Sequence, residues 1–227
     1  MRRKSPTLIA CGMISAIGAI GVAGTASASF EFGVVGGQTS VLLDTETLAA
    51  AANLNLSGVS SGVIAPGELG PNSVAFGINP TTAGMPTTFA YDNGFTAFGG
   101  TIEHTGSVFF NDDTIEVGNF SIAFDENRVS DTTSGFFVAS TTGIEAILFD
   151  IGVPSSLTAD GSGLMIEADL LVSSEFSAFL LDIEFADADL TGAVVGSALV
   201  NATIPAPGAL ALLGMAGLAG RGRRRRS

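Results

Sequence analysis

Residues 163–172 place Leu164, Ile166, Ala168, Leu170 and Val172 at every second position, with Glu167 and Asp169 between them. A period of two sends alternate side chains to opposite faces of an extended strand, so this stretch can bury one face and wet the other. The alternation recurs. Ile102, His104, Val108 and Phe110 share a parity opposite Thr101, Glu103, Thr105 and Ser107, and shorter runs cover Ser40–Leu43, Phe136–Ser140 and Ile144–Ile151. Ile115 and Val117 are odd-numbered whereas Phe120, Ile122 and Phe124 are even; the slip of phase at Gly118-Asn119 predicts a bulge or tight turn. Turn chemistry at Asp92-Asn93-Gly94, Asn111-Asp112-Asp113 and Asp160-Gly161-Ser162-Gly163 separates the runs. Strands at this spacing, with no long helical pattern among them, predict an all-β fold: an antiparallel β-sandwich, jelly-roll or immunoglobulin-like.

Two segments depart from that pattern. Phe176, Phe179, Leu180 and Ile183 follow the spacing of a helix face, which predicts a short helix beginning near Ser174. Asp44 is placed to cap a second helix through Thr45–Ala52. Residues 57–85, rich in Gly, Pro, Ser and Asn, read as a long loop or an irregular edge.

Charge is divided sharply along the chain. All 22 acidic residues fall between Glu31 and Asp189, and Arg128 is the one Lys or Arg between Ser29 and Ile204, leaving that interval a formal charge of −21. Such a surface repels nucleic acid, and salt or divalent cations relieve its self-repulsion. Saline surroundings, calcium binding and plain solubility each predict this composition. The interval is long enough for one domain with a core, and all 16 Phe lie within it. Cys11 is the lone cysteine, so no disulfide is expected.

Chemistry is sparse. His104 is the single histidine and shares the apolar face of its strand, while Glu103 points the other way, so a hydrogen-bonded histidine at a core edge is the expectation and no catalytic residue is assigned. Asp187-Ala188-Asp189-Leu190-Thr191-Gly192 has a spacing that can wrap oxygen ligands around calcium, through Asp187, Asp189 and Thr191; a solvated turn fits the same residues, and Ala198 stands where an EF-hand needs glutamate. Asp112-Asp113 and Asp125-Glu126 are weaker candidates of the same kind. Otherwise no cofactor is expected. Sugars stack on Trp or Tyr, and this chain has no Trp and only Tyr91.

The two ends carry addresses. Arg2, Arg3 and Lys4 precede the apolar run Leu8–Ala23, and Ala26-Ser27-Ala28 supplies small residues at Ala26 and Ala28 for cleavage. That is the layout of a signal peptide over residues 1–28, read by the secretion machinery. At the other end come Pro205-Ala206-Pro207, an apolar stretch from Gly208 to Gly220, then Arg221, Arg223, Arg224, Arg225 and Arg226. A proline pair, a short hydrophobic helix at 208–220 and a basic tail at 221–227 resemble the PEP-CTERM sorting tag, with Ala206 where that family usually has glutamate. The resemblance implies recognition by an exosortase-type processing enzyme, and a Gram-negative-type bacterium that sends the protein to its envelope, surface or extracellular matrix. A span needs about 20 apolar residues, and 208–220 offers 13, which suits transient membrane insertion. The arginines would hold the end in the cytoplasm.

The chain therefore divides into a signal peptide (1–28), an acidic β-rich domain (29–203) and a sorting tag (204–227). The expected function is that of an exported, non-enzymatic surface or matrix protein. Extracellular polysaccharide is a candidate partner and nucleic acid is not. The alternatives are an exported carbohydrate-binding module or glycoside hydrolase, or a calcium-dependent adhesion module.

Overall fold

The computed structural model describes residues 30–205, so the expected cleavage residues Ala26 and Ala28, the expected tag residues Ala206 and Pro207, the helix predicted at 208–220 and Arg221–Arg226 lie outside the described residues. In chain order the first elements are β1 (Phe32–Gly33), β2 (Gly36–Leu43), α1 (Thr45–Ala52), β3 (Leu56–Val59), β4 (Val74–Gly77), β5 (Ala90–Tyr91) and β6 (Phe98–Gly99). Then come β7 (Ile102–Glu103), β8 (Ser107–Phe110), β9 (Ile115–Gly118), β10 (Ser121–Val129), β11 (Thr133–Ser140) and β12 (Thr142–Gly143). The last are β13 (Ala146–Gly152), β14 (Ser156–Asp160), β15 (Gly163–Val172), α2 (Ser174–Asp182) and β16 (Val194–Thr203). The fold is mostly antiparallel β, with two short helices among the described residues.

One large sheet runs β4-β2-β16-β15-β13-β11-β10-β7, with β14 added to the free part of β15. The long strands β10, β11, β13, β15 and β16 are neighbours in the order in which they occur, an up-and-down meander. The sheet then curls until its edges meet. Ile78, just beyond β4, forms an antiparallel bridge with His104, just beyond β7, and the Asn79 amide donates to the Glu103 carbonyl at 2.7 Å. Gly37 lets β2 pack tightly against β16: its φ is +116°, and a Cβ there would lie 2.2 Å from the Asn201 carbonyl oxygen.

The alternation along β15 holds from Leu164 to Leu170, with Ile166 half-buried, and ends at a bulge where Leu171 is buried as well. Leu164, Ala168, Leu170 and Val172 are buried, while Met165 and Asp169 face water. Two apolar clusters fill the shell. One gathers Leu164, Ala168 and Leu170 with Ala198, Val200, Ile122 and Tyr91; the other gathers Val172 and Leu148 with Phe110, Val117, Phe176 and Leu180. A four-stranded sheet, β12-β9-β8-β3, supplies part of the second cluster, and β1-β5-β6 lies at the first.

Both predicted helices form where their caps place them. Asp44 accepts from the Thr47 amide at 2.9 Å and from the Thr47 hydroxyl at 2.7 Å, and Ser173 accepts from the Phe176 amide at 3.0 Å. Each lays apolar side chains on the second cluster, Leu48 and Ala52 from α1, Phe176 and Leu180 from α2. Burying a side chain as large as Phe176 or Leu180 is worth about 2–3 kcal/mol, more than the propensity of so short a helix.

Two expectations need correction. The single strand suggested by Ile102–Phe110 is two, because Gly106 turns with φ +125° and sends β7 to the large sheet and β8 to the small one. Residues 57–85 are not one irregular segment. They contain β4, whose Ala75 and Phe76 are both buried, so no alternation marks it. The slip at Gly118-Asn119 is a corner: Asn119 has φ 46°, and β9 and β10 on its two sides belong to different sheets.

Candidate functional site

His104 stands at the seam, 1% exposed. Its Nδ1 lies 3.0 Å from the Phe120 carbonyl oxygen and its Nε2 2.8 Å from Thr39 Oγ1. A carbonyl can only accept, so Nδ1 carries the proton and Nε2 accepts from the threonine hydroxyl. Burial pushes the imidazole pKa down to about 4, against the opposing pulls of the Phe120 carbonyl and Glu103. At neutral pH the ring is uncharged and enclosed, and it joins β2, the end of β7 and the chain before β10. The core-edge role expected of this residue holds.

Beside it an internal cavity of about 100 Å³ runs through the shell. Thr39, Val41 and Leu43 of β2, Ile166, Ala168 and Leu170 of β15, and Phe136 and Val138 of β11 line its walls. Phe95 and Phe136 of the lining belong to a cluster of rings: Phe95 and Phe98 stack at 4.8 Å, Phe98 and Phe136 lie 5.1 Å apart, and Phe124 meets Phe136 at 5.2 Å. Sequence alone did not mark this site. Its one visible trace is Val153 and Leu157, apolar residues that flank Pro154 where solvated ones would serve.

Arg128 is fully engaged. Its guanidinium donates to Asp150 at 2.7 Å and to Glu175 of α2, and lies 5.2 Å from the centre of the Phe137 ring. The one cation of the domain thus fastens β10, β13 and α2, and the rest of the charged surface is carboxylate.

The residues singled out for calcium are exposed. Asp189 accepts from the Ser177 hydroxyl at 2.8 Å, from the Thr191 amide at 2.9 Å and from the Thr191 hydroxyl at 2.6 Å. These bonds, that from the Thr191 hydroxyl foremost, hold its carboxyl at about 2. Asp189 and Thr191 come together, but as a turn that buttresses α2. Among the described residues no three His, Cys, Asp or Glu side chains converge as a metal site. Asp112 and Asp113 adopt left-handed backbone conformations in the β8–β9 turn, and both are exposed. Asp125 binds the Asn127 amide at 2.9 Å.

Tyr91 is fully buried and donates to the Asp160 carbonyl at 3.0 Å, out of reach of a sugar. Pro205, the first proline of the tag, is exposed and lines an open cleft of about 500 Å³ together with Glu31, Thr87 and Ile204. No helix among the described residues is long and apolar enough to cross a membrane.

No family model and no curated protein matches the chain. Among solved structures it is similar to the crystal structure of the C-terminal domain of HtaA from Corynebacterium glutamicum, at 18% identity and a TM-score of 0.49. The likeness covers 77% of this chain and 99% of that one.

Proposed function

We propose that this is an exported, non-catalytic protein of the bacterial surface or extracellular matrix, delivered by an N-terminal signal and a PEP-CTERM-like tag. The observation that carries the reading is the fate of the domain's single cation. Arg128 is spent inside the fold on Asp150 and Glu175, so a shell of carboxylates faces outward with nothing of opposite charge to collapse onto. His104, the one candidate for a catalytic base of its type, is walled in by Thr39 and Phe120. Pro205 is exposed, which supports access by a processing enzyme at the start of the tag. The flattened, curled sheet with facing apolar walls is read as a sandwich-like shell that serves as a durable body for the tag.

Mass spectrometry of both ends of the native protein tests this. Loss of residues 1–28 and cleavage near Pro205–Pro207 are expected. Recovery of the mature protein from the cytosol with Met1 and Ser227 attached would overturn it.

A further inference from the structure

We infer that the internal cavity is a binding site for a linear alkyl chain carried by an uncharged or cationic head group.

Shape comes first. The cavity follows five residues of β15, from Ile166 to Leu170, and five of β2, from Thr39 to Leu43, a length of roughly 13 Å at the rise of a strand. Spread along that length, about 100 Å³ is a narrow bore. A water-sized sphere needs about 10–15 Å³, so the bore takes about seven to ten carbon-sized atoms in file.

At one extreme the lining is formed by the buried Leu48, Leu54 and Phe110. The lining also includes Ser134, Pro154 and Leu157, the last 47% exposed, and there the geometry points to the opening. Four large apolar side chains that the fold leaves in water stand on the segments around that opening: Phe124, Val129, Val153 and Leu157. Val129 pairs with Ser134 across the β10–β11 hairpin, and the Val153 amide donates to the Thr132 carbonyl at 3.1 Å. A domain with this many carboxylates had polar residues to spend here, and the rim is apolar instead.

The lining offers a polar guest nothing. Thr39 and His104 satisfy each other, and the Ser134 hydroxyl donates to the Ile151 carbonyl at 2.8 Å. A dry apolar cavity takes an apolar occupant. The head group is selected by charge. Asp131 lies in the β10–β11 turn, and Asp169 packs against Gly152, just before the opening, while Arg128 is committed elsewhere. A carboxylate or phosphate head would be repelled by both carboxylates.

The test is calorimetric titration of the full-length chain with 1-decanol, decylamine and decanoate at low ionic strength, with thermal melting in parallel. Saturable binding of one decanol per chain is expected, with a raised Tm, and decanoate should bind at least about tenfold more weakly. Ala168→Leu fills the bore and should weaken decanol binding by at least about tenfold while the circular dichroism spectrum is kept. Leu157→Glu changes only the exposed rim and should weaken it several-fold, which decides the matter should Ala168→Leu fail to fold. Decanol binding unchanged in the folded variants would place the ligand on the apolar termini and overturn the inference. Absence of saturable binding, or equal affinity for decanoate, would overturn it too.

Discussion

Acidification should loosen the shell well before its carboxylates titrate, because the seam contains a histidine held neutral. The ring's pKa falls from 6.5 to about 4 on folding, so the folded state binds fewer protons than the unfolded chain between those values. Its stability contribution is intact above 6.5 and is lost as pH falls toward 4. Each unit of pH in that window costs about 1.4 kcal/mol, so moving from neutral pH to about pH 5 should remove about 2 kcal/mol. With a urea m-value of about 2 kcal/mol/M, the midpoint should drop by about 1 M. Urea is the right denaturant, since guanidinium would screen the 22 carboxylates. The lowered carboxyls, such as Asp189 at about 2, contribute stability that disappears only below their unfolded values near 3.8, outside this window. His104→Gln keeps a donor for the Phe120 carbonyl and an acceptor for Thr39 but does not titrate. Its midpoint should be flat from neutral pH to about pH 5. A slope that survives in His104→Gln, or a wild-type midpoint that does not move, would refute the reasoning.

Added sodium chloride should raise the Tm of the protein, since a formal charge of −21 within residues 29–204 repels itself less once the screening length falls to about 8–10 Å; a falling Tm would mean that attraction dominates. Arg128→Met should lower stability by about 1–2 kcal/mol in urea melts, because Asp150, largely covered, and Glu175, partly exposed, lose their partner. Gly37→Ala should cost at least about 2 kcal/mol, as the new Cβ meets the Asn201 carbonyl oxygen at 2.2 Å and φ is +116°; a neutral result would show that β2 and β16 can move apart without loss.

Local signals in the sequence carried far. Asp44 and Ser173 are short polar residues directly ahead of apolar helical spacing, and both cap the helices they introduce. The parity of Leu164–Val172 specifies its buried face, since a slip of one residue would expose all five apolar side chains. His104 shared the parity of Ile102 and is buried with it. What stayed hidden depends on distant partners. The pairing of Ile78 with His104 joins two segments that carry no mark of each other. β4 is short and has adjacent Ala75 and Phe76 both inside, so it shows no period. The bore is a space between strands, and a space has no letter in the sequence; only the apolar Val153 and Leu157 hint at its opening.

The position of β16 has a mechanical consequence. It lies between β2 and β15, registered with each over eight residue pairs, and it is the last strand of the described residues. Tension applied beyond Thr203 would have to slide β16 lengthwise past both neighbours, straining the two ladders together instead of unzipping them bond by bond. Gly36 is paired with Thr203, so the domain's first long strand starts at the same pole. A domain held at its C-terminal end would therefore have Gly36 and Thr203 together at the held pole and turn its far pole outward, gripped by a strand laddered on both sides.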